Sequence, residues 1–475
     1  MSTLSLTTLP SLSGRPGLLL PQYDVAGLGV GIVHLGAGAF HRAHQAVLTE
    51  DCLGDGQWGI CAFTQRSDTV VRALAPQDGL FTLLERGRDA GPARVVGTIR
   101  EIRSAPHDPA GVAARIADPR IRVVTLTVTE KGYRPAADSV RSDLDGFALP
   151  GYRPRTVVGQ LAAGLDRRRR QDAGPLSILP CDNVIGNGAA LRRSVGDFCA
   201  LLPSGDGLAD WIGTNVAFPS SVVDRIVPAA ADADRAEAQR LLGCSDNGTV
   251  IAESFRQWVI EDDFAAPRPA WQDAGAVLTA DVRPYERMKL RLLNATHSLI
   301  AYTGALAGYP TIADALTDQG IAEAASSLMA YDAAPGLTAP EGVDPAAYQR
   351  TVLNRLADPS LAHDVEQVAA DGSVKVPIRL FATIRHRLGT GSQPYWAALA
   401  VAAWMVYVAR RGDTVRDPRS GELARAVAGR TTAAGLVTGL LAVRSVFPED
   451  LAADPTFRAL LEHHAARLLA QHRRS

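Results

Sequence analysis

The segment Gly31-Ile-Val-His-Leu-Gly-Ala-Gly-Ala-Phe-His-Arg-Ala-His44 constrains the fold more than any other stretch. An apolar run, Val30 to Leu35, reads as a strand. Two glycines follow, and then a helix-like pattern from Phe40 to Asp51. A strand that enters a glycine turn and leaves as a helix is the opening of a dinucleotide-binding βαβ unit. In that unit Gly36 makes the tight turn and Gly38 lets the backbone approach a pyrophosphate. Ala39 and Phe40 open a helix whose free N–H groups face the phosphates. The third fingerprint position is His41 rather than glycine, which predicts looser helix–strand packing there. Taken alone, Gly-x-Gly also fits a simple tight turn.

The rest of the chain is consistent with that opening. Strand-like runs recur at Trp58 to Thr64, Val123 to Val128, Leu176 to Leu179 and Thr214 to Phe218, with helical segments between several of them. Such alternation predicts a parallel sheet covered on both faces. Residues 1 to 27, rich in Leu, Ser, Pro and Gly, read as an irregular leader. Near Ala265 to Gly275 prolines and alanines form a linker-like stretch. After Pro284 the patterns are helical: Tyr285 to Gly304, Ile321 to Ala330, Pro345 to Leu356, Pro394 to Arg411, Gly421 to Ala428 and Asp454 to Arg473. The expected fold is an α/β Rossmann-type domain with a parallel-sheet core over 1–280, then a mainly α-helical substrate and catalytic domain over 281–475. With 475 residues there is length for two or three domains. A substrate cleft between the two is the expected place for the helix that carries Lys289.

Several functions are excluded by charge and composition. A formal net charge of -1 argues against an electrostatic grip on nucleic acid or anionic membrane. The basic run Arg167 to Arg170 is bracketed by Asp166 and Asp172 and reads as a solvated helix face. Five cysteines, Cys52, Cys61, Cys181, Cys199 and Cys244, form no C-x-x-C. That pattern fits a reduced, cytoplasmic protein with neither a disulfide framework nor a metal site. The N-terminus lacks the pattern of a signal peptide. Ala397 to Ala409 is too short to span a bilayer and reads as a buried helix.

Chemistry concentrates in residues 284 to 300, Pro-Tyr-Glu-Arg-Met-Lys-Leu-Arg-Leu-Leu-Asn-Ala-Thr-His-Ser-Leu-Ile. At ~100° per residue, with Lys289 at zero, Glu286 falls near ~60°, His297 near ~80° and Asn294 near ~140°. A carboxylate, an amine, an imidazole and an amide thus share one side of a largely apolar helix. Burying a lysine there favours its neutral form, as a general base needs. An amphipathic helix with a solvated charged edge gives the same pattern. At the end of the second strand, Thr64-Gln-Arg-Ser-Asp68 offers Asp68 for the ribose hydroxyls of NAD, and Arg66 with Ser67 for the extra phosphate of NADP. The choice between NAD and NADP stays open here.

Six ordered stretches together resemble the polyol-specific long-chain dehydrogenase/reductase family, which includes mannitol 2-dehydrogenases and fructuronate reductases. They are Gly31 to His44, Thr125-Leu-Thr-Val-Thr-Glu-Lys-Gly-Tyr133, Pro180-Cys-Asp-Asn-Val-Ile-Gly-Asn-Gly188, Phe218-Pro-Ser-Ser-Val-Val-Asp-Arg-Ile-Val-Pro228, Val259 to Phe264, and Tyr285 to Ser298. A looser match runs through Asp371-Gly-Ser-Val-Lys-Val-Pro377. The resemblance implies zinc-independent hydride transfer between NAD(H) and C2 of a polyol/ketose pair of the mannitol/fructose type. Lys289 is similar to the family's acid/base, and Asn183 and Asn294 to its two oxyanion-holding amides. His297 matches the substrate-binding histidine, Glu286 a glutamate on the proton exit path, and Asp224 an acid near cofactor and substrate. Lys375 and Arg379 fall where distal substrate groups are held, and either also reads as ordinary surface or interdomain charge. Reduction of a keto-uronate, fructuronate to mannonate, is the alternative within the class. A catalytically silent NAD-binding sensor is the alternative outside it. The expected partners are a small polyol, ketose or sugar acid, with no nucleic acid and no membrane, and the expected state is a monomer or weak homo-oligomer.

Overall fold

The computed structural model describes residues 2–54, 56–149, 151–202 and 207–471. The chain forms two compact units, Met1–Val282 and Arg283–Ser475.

The first unit is built on a six-stranded sheet. Its strands are Val30–Leu35 (β1), Gly59–Thr64 (β2), Ile99–Ser104 (β3), Val123–Leu126 (β4), Leu176–Pro180 (β5) and Val216–Ala217 (β6). They lie in the order 3-2-1-4-5-6 and every pairing is parallel. This is the doubly wound nucleotide-binding arrangement, with its switch point between β1 and β4. The strands are hydrophobic on both faces because both faces are covered. Val33, Leu35, Val124 and Leu126 join one buried cluster, whereas Ile32, Ile60, Ala62 and Val123 join the other. The period-2 alternation thus serves two cores, one per face. The expected strand over Thr214 to Phe218 shrinks to two residues, because the helix Leu208–Asn215 takes its first half.

Two regions that read as irregular are packed. Leu18–Leu19 pairs with Ala93 and Arg94 in a second, four-stranded sheet, and Leu4, Leu12 and Val25 are buried beside Leu80 and Val95. The leader is therefore part of a core. In the linker-like stretch Trp271 is fully buried and its Nε1 donates to Thr49 Oγ1 at 3.1 Å. Val277–Thr279 then pairs in parallel with Gln257–Glu261 in a third, small sheet. Composition misled in both places, because one buried aromatic or a few leucines decide whether a segment docks.

The basic run is corrected at one position. The helix Val157–Arg170 does expose Arg167, and Arg169 and Arg170 pair with Asp166 at 2.9 and 2.7 Å. Arg168, however, is fully buried and uses all five of its N–H donors. Its Nε donates to Gly174 O at 2.8 Å, Nη1 to Ile116 O and Asp118 O at 2.9 and 3.0 Å, and Nη2 to Ala173 O and Pro175 O at 2.8 and 3.0 Å. One guanidinium thereby gathers the end of a helix and the loop that leads into β5. Burial pulls its pKa down to about 10, which leaves it charged at neutral pH.

The second unit is helical. Tyr395–Arg411 runs through its centre with Ala397, Ala398 and Ala400 to Val408 all buried. The expected helices over Pro345 to Leu356, Gly421 to Ala428 and Ile321 to Ala330 correspond to Pro345–Leu356, Ser420–Val427 and Gln319–Ser327. The last ends at Gln471, and Arg473 lies outside the described residues. Among the described residues no helix is long and apolar enough to cross a membrane. All five cysteines are buried and unpaired.

Replacement of Arg168 by leucine removes five hydrogen bonds to backbone carbonyls. Chemical denaturation of Arg168→Leu is expected to show a loss of at least ~3 kcal/mol against the parent, whereas Arg167→Leu stays within ~0.5 kcal/mol.

Candidate functional site

The glycine turn after β1 is fixed from two sides. Gly36 has φ +104, and a Cβ placed there would sit 2.1 Å from the Thr127 carbonyl oxygen. Only glycine fits that approach. The N–H groups of Gly36 and Ala37 both donate to Phe63 O, at 2.8 and 3.0 Å. Gly38 differs: a Cβ there meets nothing nearer than Gly36 O at 3.7 Å. Protein packing therefore places no demand for glycine at Gly38, and its bareness suits the close approach of a ligand's phosphates. Ala39 and Phe40 begin the first helix, Ala39–Ala43 (α1), whose leading N–H groups have no partner within the helix. The residues present thus fit a dinucleotide.

The single helix expected over Phe40 to Asp51 is two. His44 breaks it at φ -125, ψ -84, and Gln45–Glu50 (α2) follows. Buried groups hold this break. His44 Nε2 lies 2.9 Å from Gln257 O, and Arg225 donates to Ala43 O, to Glu253 O at 2.8 Å and to Glu85 at 2.5 Å. Arg225 therefore spends its donors on α1 and on neighbouring strands. Asp224, beside it, is buried at the end of the strand Ser221–Asp224 and opposite Gln257. Its carboxylate bears on His44, whose pKa burial pulls down to about 3. His41, at the third fingerprint position, does not loosen the packing. Its ring stacks on that of His34 with centroids 3.5 Å apart and planes 9° from parallel. At the end of β2, Arg66 is exposed, and Asp68 Oδ2 lies 2.7 Å from His107 Nε2.

Asn183 lies in the loop after β5, on a frame that sequence reasoning passed over. Asp182 is buried and accepts from Thr129 N at 2.7 Å and from Tyr133 Oη at 2.9 Å. Thr129 has φ +65, a conformation that costs a non-glycine residue about 1–3 kcal/mol. The Asp182 carboxylate offsets that cost, although burial pushes its pKa up. Asn187 donates from Nδ2 to Asp182 O and Ser221 O at 3.0 and 2.8 Å, and its Oδ1 accepts from Ser221 N at 2.9 Å. The stretches Thr125 to Tyr133, Pro180 to Gly188 and Phe218 to Pro228 are thus joined around Asn183. The signal was present, since Asp182, Asn187, Thr129 and Tyr133 all lie inside the motifs that carried the resemblance.

In the second unit, Lys289 is buried and opens a π-helical turn, Lys289–Asn294, between Arg283–Met288 and Ala295–Ala307. The Ala295 N–H reaches back to Leu290 O, five residues earlier. A π turn winds by less than ~100° per residue, so the angles read from α-helical geometry fail beyond Lys289. Single π turns recur at functional sites. Glu286 lies in the turn before, and Asn294 ends the π segment. His297 follows in the next helix. Its ring meets His363 edge-on at 4.7 Å, and its Nε2 is buried with no hydrogen-bond partner among the described residues. Burial, then His363, Arg379 and Lys375, hold it well below the usual histidine pKa, so it is neutral.

The helix Gly372–Gly389 brings Lys375 and Arg379 to this group. Arg379 Nη1 donates to Ser298 Oγ at 2.9 Å and Asn294 O at 3.2 Å. Lys375 Nζ donates to Val368 O at 3.1 Å, and burial followed by Arg379 pulls its pKa down to about 8. These cations are half-buried, and among the described residues neither makes an ion pair. They are neither ordinary surface charge nor neutralised. His363 and Ser298 also belong to this group and were missed by sequence: His363 lies outside the motifs, and Ser298, the last residue of one, was given no role.

A family model described as the mannitol dehydrogenase Rossmann domain matches residues 30–273, and one described as the mannitol dehydrogenase C-terminal domain matches residues 281–469. The oxidoreductase YeiQ of Escherichia coli is 39% identical, over 97% of this chain and 96% of its own. The D-mannonate oxidoreductase of Escherichia coli is 38% identical, over 92% and 93%. The structure of Pseudomonas fluorescens mannitol 2-dehydrogenase in ternary complex with NAD and D-mannitol is 34% identical, with a TM-score of 0.87 over the whole of both chains.

The Asp182 frame predicts a specific loss. Asp182→Asn keeps the size of the side chain and removes the charge that holds Thr129 and Tyr133. The thermal midpoint of this variant is expected to fall by about 2–4 °C or more, with the stability change near ~1–3 kcal/mol.

Proposed function

The chain belongs to the mannitol dehydrogenase family, and on that premise we propose that it is an NAD-dependent oxidoreductase that interconverts an alcohol and a ketone at C2 of an open-chain polyol or ketose. The observation that carries this reading is a buried Lys289 at the head of a π turn, followed within two turns by Asn294 and the neutral His297. A nicotinamide, when bound, supplies or accepts the hydride.

The remaining roles belong to the chain. The Gly36 to Phe40 turn would hold the pyrophosphate, and Asp68 or Arg66 the adenosine ribose. Lys289 Nζ takes the C2 hydroxyl proton during oxidation and returns it during reduction, and Glu286 passes that proton towards solvent. The side-chain amides of Asn294 and Asn183 donate to the oxygen as it gains negative charge, which stabilises the transition state more than the ground state. His297 Nε2, with no hydrogen-bond partner among the described residues, serves a substrate hydroxyl. Asp224 acts near the cofactor end. Lys289→Ala is expected to lower kcat by at least ~100-fold and to leave the Kd for NADH within about twofold, as measured by stopped-flow rates and NADH fluorescence.

A second reading, a sugar acid as substrate, is favoured by Lys375 and Arg379. Two half-buried cations without a carboxylate partner are costly, and a substrate carboxylate would supply the missing charge. On this reading the reaction is reduction of fructuronate to mannonate. Initial rates of NADH and NADPH oxidation with fructose and with fructuronate separate the two. Lys375 gives a pH signature as well. Its pKa lies near 8 rather than 10.5, so it is charged below pH 8 and loses its proton above it. The KM for fructuronate is expected to rise above pH ~8, and Lys375→Met to raise it ~10-fold or more, with KM for fructose changing little. Equal KM values for fructuronate in Lys375→Met and the parent would remove the sugar-acid reading.

A further inference from the structure

Four groups behind the glycine turn, two buried and two partly buried, form a chain whose proton positions are determined. Thr127 Oγ1 lies 2.8 Å from Gly36 O. A carbonyl only accepts, so the threonine hydrogen is committed to Gly36. His34 Nε2 lies 3.0 Å from the same Oγ1 and must therefore carry a hydrogen and donate. His34 is fully buried, and burial pulls its pKa down to about 3, so the ring carries one proton only. Its Nδ1 is then bare and accepts from Thr125 Oγ1 at 2.8 Å. His34 and Thr125 are register partners on β1 and β4, so the chain crosses the switch point of the sheet.

The chain ends on the peptide unit that joins Gly36 to Ala37. Its oxygen accepts from Thr127 and its N–H donates to Phe63 O. A peptide held at both ends does not flip. The next N–H groups, of Gly38 and Ala39, are the ones that a phosphate would meet. Among the described residues His41 finds no hydrogen-bond partner for either ring nitrogen, and its stack on His34 fixes the plane of that ring.

Resting on the dinucleotide reading above, we propose that Thr127 and His34 are positioning residues for the cofactor, acting through the Gly36–Ala37 peptide and touching neither cofactor nor substrate. Thr127→Val removes the hydroxyl at nearly constant volume. NADH titration of this variant, by fluorescence, is expected to give a Kd between about threefold and tenfold higher than the parent. The kcat at saturating NADH is expected to stay within about twofold, and Thr127→Ser to restore the Kd. A parental Kd in Thr127→Val, or a fall in kcat with Kd unchanged, overturns the proposal. A second measurement needs neither cofactor nor variant. In the unliganded protein, ¹⁵N-histidine spectra at pH 7 are expected to show His34 neutral, with the proton on Nε2. A proton on Nδ1, or a charged ring, overturns it too. Failure of the parent to bind NADH or NADPH counts against the dinucleotide reading alone, and the His34 spectrum still decides the relay.

Discussion

A polar group sealed within a sheet that is covered on both faces has no water to turn to, and must find all its partners in the protein. That requirement shapes the first unit. Its six strands are apolar on both faces, so chemistry is confined to their ends and to the few polar side chains that the interior admits. Three of those beneath the site loops and the sheet edge are answered in full. Arg168 uses five donors, Asn187 uses three hydrogen bonds, and His34 uses both ring nitrogens. The loops that carry Gly36 and Asn183 are therefore rigid for a reason that lies below them.

In the second unit one unanswered ring nitrogen lies beside two cations. Among the described residues His297 Nε2 has no hydrogen-bond partner, and the neighbouring Lys375 and Arg379 make no ion pair. Unmet polar demand of this kind is expensive in a finished interior. It persists where a further molecule completes the set. An unanswered His297 beside Lys375 and Arg379 supports a substrate rich in oxygen.

Sequence patterns exposed the parts of the structure that depend on periodicity. Alternating strands and helices predicted the doubly covered parallel sheet, and the glycine turn marked its first crossover. The resemblance led to Lys289, Asn294 and His297, which lie on one helix, and to Lys375 and Arg379, which the structure places beside His297. What escaped was set by tertiary contact. Arg168 looks like its three neighbours in the sequence, and only the carbonyls of distant segments distinguish it. Residues 1–27 and 265–275 lack any period, yet single buried side chains such as Leu4 and Trp271 dock them. Asp182 and Asn187 look like turn residues because their partners are backbone groups more than thirty positions away in sequence, at Thr129 and Ser221.

The π turn at Lys289–Asn294 has a consequence for how this helix is to be compared with others. A π turn holds one residue more than the α-helical turn it replaces. Two numbering frames therefore meet inside one continuous rod. Up to Met288 the faces follow one count, and from Ala295 they follow another, offset by a residue. Any alignment or graft that treats Arg283 to Ala307 as a uniform helix assigns every position after Asn294 to the wrong face, and a single deletion within the turn would swing His297 away from His363 without altering a residue of either.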